Sequence, residues 1–100
     1  EIQKTRPAVV ISADGLQGLR LRLVMPITSW KPSFSRIPWI IQILPSSKNG
    51  LTKVSAANPL QTRSVSLERF VDQLGIIDPN KLEEIILALA LIVQFSVDLD

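Results

Sequence analysis

The chain has 100 residues, 46% of them hydrophobic and 20% charged, the composition of one globular domain rather than a disordered segment. It has no cysteine and no histidine, which excludes disulfides, thiol catalysis, cysteine or histidine metal sites and histidine acid–base pairs. The net charge of +2 hides a polar layout: residues 1–63 carry nine basic side chains against two acidic ones, and residues 64–100 carry two against seven.

A basic first part suits a polyanion such as nucleic acid, unless its cations scatter over a solvated surface on folding. Pro7–Ser12 (PAVVIS) is rich in β-branched residues and predicts a buried strand. Ala13–Gly18 supplies turn residues. In Leu19–Met25 (LRLRLVM) the leucines alternate with Arg20 and Arg22, which predicts a half-buried strand with a basic outer face. Pro26 ends that strand or sits at an edge. Ser29–Pro38 (SWKPSFSRIP) is a long loop carrying Trp30, Lys31, Phe34 and Arg36. Its two aromatics either pack the loop onto the body of the fold or stack bases.

Trp39–Leu44 predicts a third strand, and Pro45–Gly50 a loop that turns at Asn49-Gly50. Thr52–Ala56 and Gln61–Val65 are two further short strands, separated by Asn58-Pro59. The period then changes. Ser66 reads as the N-cap of a short helix over Leu67–Leu74, stopped by Gly75. Asp78-Pro79 starts the last helix, with the aspartate as cap and the proline in the first turn. That helix is apolar nearly all round, through Leu82, Ile85, Ile86, Leu87, Leu89 and Leu91. Such a helix is covered on more than one side, by a second copy or by a groove of its own sheet. Its longest apolar run, Ile85–Val93, falls well short of the ~20 residues that cross a membrane. Strands first and helices last do not alternate as βαβ units, so the fold class is mainly β (α+β), an antiparallel barrel with a short helix and a C-terminal helix.

The residue inventory narrows the chemistry. No Walker A loop, G-x-G-x-x-G motif or oxygen-ligand cluster is present in the basic part. The acidic residues of the second part are explained by capping and solvation. One reaction suits a basic barrel without histidine, the cleavage of RNA by its own 2′-hydroxyl. The substrate brings the nucleophile. The protein must align the 2′-oxygen with the phosphorus and stabilise the charge of the phosphorane-like transition state. Arginine offers a fixed fork of donors to phosphate oxygens and threonine one more hydrogen bond. Arginine is a poor acid or base near neutrality, because its guanidinium stays protonated there, so its main contribution is electrostatic. Taken alone, Arg6 before Pro7 reads as a surface cation at a strand start, and Thr28 as the start of a turn.

Several segments carry a resemblance. Glu1–Ser12 (EIQKTRPAVVIS) resembles the opening of the MazF/PemK toxin family, the mRNA endonucleases of bacterial toxin–antitoxin modules. Pro26-Ile27-Thr28-Ser29 resembles its P-[IV]-T-[TS] element. Asn49-Gly50-Leu51, Leu60–Val65 (LQTRSV) and Leu67–Gly75 resemble its later segments, in family order. The resemblance implies an SH3-like barrel working as a cytoplasmic homodimer, with one domain over residues 1–95 and a polar tail over 96–100. It implies sequence-specific, metal-independent cleavage of single-stranded mRNA, leaving a 2′,3′-cyclic phosphate and a 5′-hydroxyl, with no cofactor. Its inhibitor would be an antitoxin with an acidic, partly disordered tail. Carried over by position, Arg6 is the main catalytic residue, Thr28 stabilises the transition state and Glu1 is an acid–base or orienting group. Gln61, Arg20, Arg22, Trp30, Lys31, Arg36 and Arg63 are the expected RNA-binding residues.

Two departures stand out. The family's first strand, with its G-D-[IV] element and mobile loop, has no counterpart ahead of Glu1, so a natural N-terminal segment is expected there. Asn58-Pro59-Leu60 also replaces the small acidic residue that precedes the glutamine. Two rival readings share the fold. One is a non-catalytic SH3-like module that binds peptide or nucleic acid, and the other a toxin acting on a protein target.

Overall fold

The structure is a computed structural model that describes residues 6–13 and 18–93. Glu1 and the tail 96–100 lie outside the described residues. Among the described residues five strands, β1 (Ala8–Val10), β2 (Leu21–Ser29), β3 (Ile41–Ile43), β4 (Ser55–Ala57) and β5 (Arg63–Ser66), precede one α-helix, α1 (Pro79–Ile92). All strand pairs are antiparallel. The expected α+β architecture is observed. Among the described residues the pairing runs β1–β2–β4–β3, with β5 also on β2, and no pair closes β3 onto β1.

The nine-residue β2 organises the sheet. It pairs with β1 over Val24–Pro26, with β5 over Leu21–Val24 and with β4 over Ile27–Ser29. Pro26 neither ends it nor sits at its margin. The Ile27 N–H donates to the Pro7 carbonyl at 3.0 Å. Alternation therefore turns the nitrogen of Pro26 away from β1, into the gap between the β5 and β4 ladders. The proline's missing donor costs the sheet no hydrogen bond there.

The core gathers Val9 of β1, Met25 and Ile27 of β2, Ile43 of β3, Ala57 of β4 and Ile85 of α1. Asp78 caps α1 as expected, its carboxylate accepting from the Asn80 N–H at 2.8 Å. Ile85 and Ala88 are buried, whereas Ile86, Leu87 and Leu91 are exposed. The sheet therefore covers one side of the apolar helix and leaves the other open. No helix among the described residues is long and apolar enough to cross a membrane.

Two local expectations need correction. The helix expected over Leu67–Leu74 is a single 3-10 turn, Leu67–Arg69, capped by the Ser66 hydroxyl. Beyond it the chain is drawn onto the Pro45–Gly50 loop: the Ile76 N–H donates to the Lys48 carbonyl at 2.8 Å, and Gly50 and Gly75 permit close backbone approach. Tertiary contact thus overrides helical propensity. The row Leu19, Leu21 and Leu23 is exposed rather than turned into the core. The same face of β2 enters the core only from Met25 onward, and nothing among the described residues covers its start.

Candidate functional site

The register of β1 against β2 creates the site. Ala8 opposes Pro26, and the Ile27-to-Pro7 bond carries the pairing one step further; Arg6, just ahead of Pro7, and Thr28, just after Ile27, both line one cleft. Thr28 in turn opposes Ala56 of β4, and Ala56 opposes Gln42 of β3. This row lies on the face away from the core: its neighbour Ile27 is buried, while Arg6 and Thr28 are exposed. The lone methyl of the buried Ala56 leaves room beside the Thr28 hydroxyl.

A cleft of about 780 Å³ opens over this row, with Arg6, Thr28 and Ala56 in its wall. Gln61 and Arg63 reach it from the segment after β4. A 3-10 turn, Pro59–Gln61, positions them: the Asn58 side chain accepts from the Leu60 N–H at 3.0 Å, and the Thr62 hydroxyl donates to the Pro59 carbonyl at 2.7 Å. Asn58-Pro59, which departs from the family pattern, is thus a turn-setting unit. From the other side come Lys31 and Phe34 of the β2–β3 loop, and Lys53 just before β4. Ser55 is buried and donates its hydroxyl to the Lys53 carbonyl at 2.9 Å, which holds the lysine's backbone in place.

Four cations line the cleft, Arg6, Lys31, Lys53 and Arg63, and none of its described lining residues is acidic. Neither of the ion pairs observed among the described residues, Arg20–Glu68 and Lys81–Glu84, involves any of the four. An anion entering there meets a guanidinium and a hydroxyl on one side and further positive charge along its path. Among the described residues, no three acidic side chains cluster as a metal site.

The other expected site residues lie elsewhere. Arg20 pairs with Glu68 at 3.3 Å, both side chains largely exposed. Arg22 donates to the carbonyls of Leu19 and Leu21, each at 2.8 Å, so its head folds back on its own strand. Six residues of strand put it about 20 Å from Thr28. Trp30 and Arg36 do not line the cleft. Trp30 instead supports Phe34 edge to face, at 5.5 Å between ring centroids. Lys53 was not among the expected residues. No local pattern marks it, because its place depends on the pairing of β2 with β4. For Asn58 the Asn-Pro dipeptide was the available signal.

Residues 1–93 match the family model described as PemK-like, MazF-like toxin of type II toxin–antitoxin system. Among solved structures, the chain is similar to the Mycobacterium tuberculosis toxin MazF-mt6, at 16% identity and a TM-score of 0.78, over 96% of this chain and 93% of that one. It is similar to an endoribonuclease from Mycobacterial species solved with its cognate antitoxin, at 19% identity and a TM-score of 0.76, over 93% and 84% of the two chains. It is also similar to a chain of the MazE-MazF structure from Deinococcus radiodurans, at 26% identity and a TM-score of 0.72, over 91% and 87%. No match was found among curated proteins.

Proposed function

The chain belongs to the PemK-like, MazF-like family of type II toxin–antitoxin toxins, and from that premise we propose that it is a sequence-specific, metal-independent endoribonuclease acting on single-stranded mRNA in the cytoplasm. The observation that carries this reading is that Arg6 and Thr28 share the wall of a cationic cleft. In the proposed reaction the 2′-oxygen loses its proton and attacks the adjacent phosphorus. An O2′–P bond forms and the P–O5′ bond breaks. The products are a 2′,3′-cyclic phosphate and a 5′-hydroxyl, the leaving oxygen having gained a proton. Arg6 grips two non-bridging oxygens and Thr28 donates to one of them, most strongly as charge builds in the transition state. Glu1 is assigned to proton transfer or to orienting Arg6, on resemblance alone. Gln61 and Arg63 hold the flanking strand.

The partner proposed to silence the site is an antitoxin with an acidic, partly disordered tail that folds across the same cations. A homodimer is proposed because Leu21, Leu23, Ile86, Leu87 and Leu91 leave apolar surface uncovered in a single chain.

The test is to incubate the protein with long RNA in EDTA and map the new ends. Discrete cuts with 5′-hydroxyl ends support the reading. Intact RNA that is nonetheless bound favours a non-catalytic module. RNA neither bound nor cut points to a protein target.

A further inference from the structure

We propose that Lys31, Lys53 and Phe34 form a nucleotide subsite next to the scissile position, the two lysines holding a neighbouring phosphate and Phe34 stacking its base. The subsite rests on the reading of the cleft as an RNA site. Its geometry follows from the β2–β4 register. Ser29 opposes Ser55, and the Trp30 N–H donates to the Val54 carbonyl at 3.0 Å. Beyond that bond the next residue on each chain segment is a lysine, Lys31 after Trp30 and Lys53 before Val54. Like charges brought to one site repel. Here no described acid relieves them, and both line the cleft that holds Arg6 and Thr28. A phosphate placed between them removes the repulsion and adds two charge-assisted hydrogen bonds.

Phe34 is bound to this pair through the backbone. Lys31 precedes the 3-10 turn Pro32–Arg36, and its carbonyl accepts from the Phe34 N–H at 2.9 Å. The turn starts with Pro32 and is closed by the Ser35 hydroxyl, which donates to the Pro32 carbonyl at 2.8 Å. Trp30 meets the Phe34 ring at an interplanar angle of 78°, an edge contact that supports the ring without stacking on it. Of the two loop aromatics, the one in the cleft wall is Phe34. A ring braced by a backbone turn and one edge contact loses little entropy when a base stacks on it. Lysines that follow a backbone and an aromatic face that accepts any base make this a sequence-tolerant subsite.

The experiment measures binding of mixed-sequence 2′-O-methyl oligonucleotides, which lack the free nucleophile and cannot be cut. Lys53→Gln is expected to make the slope of log affinity against log salt shallower by about 0.7, one phosphate contact on a single strand. Phe34→Leu is expected to weaken binding roughly tenfold, and Phe34→Tyr to retain it. On oligonucleotides carrying abasic positions the Phe34→Leu penalty should vanish, an effect that a merely misfolded variant would not show. An unchanged slope in Lys53→Gln, or an equal Phe34→Leu penalty with and without bases, overturns the subsite. Cleavage is read separately. If RNA stays uncut while these binding effects appear, the endonuclease reading falls and the subsite stands.

Discussion

Arg6 and Thr28 line one cleft, each one residue beyond the 3.0 Å bond that joins the Ile27 N–H to the Pro7 carbonyl. Both residues are exposed on the face opposite the core, so neither contributes much to stability. An arginine and a threonine held in this way are available for a ligand. Thr28 is fixed by the backbone of β2, a precise support for a site, and Arg6 by its link to Pro7, whose carbonyl is bonded to that strand.

The charge of the cleft should be visible in salt dependence. If Arg6, Lys31, Lys53 and Arg63 each meet a phosphate, log affinity for a single-stranded oligonucleotide should fall with log salt at a slope of about −3. Fluorescence anisotropy across a salt series measures it. A slope near zero would mean that the four cations do not contact the strand.

Gly50 tests the strap formed by the chain after β5. Its φ is 70°, and a Cβ there would lie 2.3 Å from the Leu74 carbonyl oxygen. Left-handed backbone alone costs a non-glycine residue about 1–2 kcal/mol. Gly50→Ala is expected to lower stability by about 2 kcal/mol or more, read as a lower midpoint in urea. An unchanged midpoint would show that the loop and the strap do not pack as described.

The helix offers two graded controls. Asp78→Ala removes a cap and should cost about 1 kcal/mol. Ile85→Ala opens a cavity in the core and should cost about 2–5 kcal/mol. Asp78 does not line the cleft, so Asp78→Ala should cleave within about twofold of the unsubstituted rate once both are fully folded.

Local chemistry made parts of this molecule legible in the sequence. Asp78-Pro79 announced the helix because capping is a property of neighbouring residues. Ser66 announced a turn for the same reason, but not its length, since the hydrogen bond from Ile76 to Lys48 comes from a distant loop. Arg6, Thr28 and Gln61 were named from resemblance, and all three line one cleft. Lys53 was missed because nothing near it in sequence says that Ser29 pairs with Ser55. The leucines at 19, 21 and 23 alternate as a buried strand would, yet periodicity cannot say whether a covering layer exists.

The most direct measurement is a double-mutant cycle on single-turnover RNA cleavage with Arg6→Ala, Thr28→Val and both together. Each single substitution should slow cleavage by roughly 10²-fold or more, with Arg6→Ala the larger loss. Two groups acting on one phosphate should be strongly non-additive, so the double variant should be little slower than Arg6→Ala alone. Cleavage at the unsubstituted rate by either single variant would contradict the account.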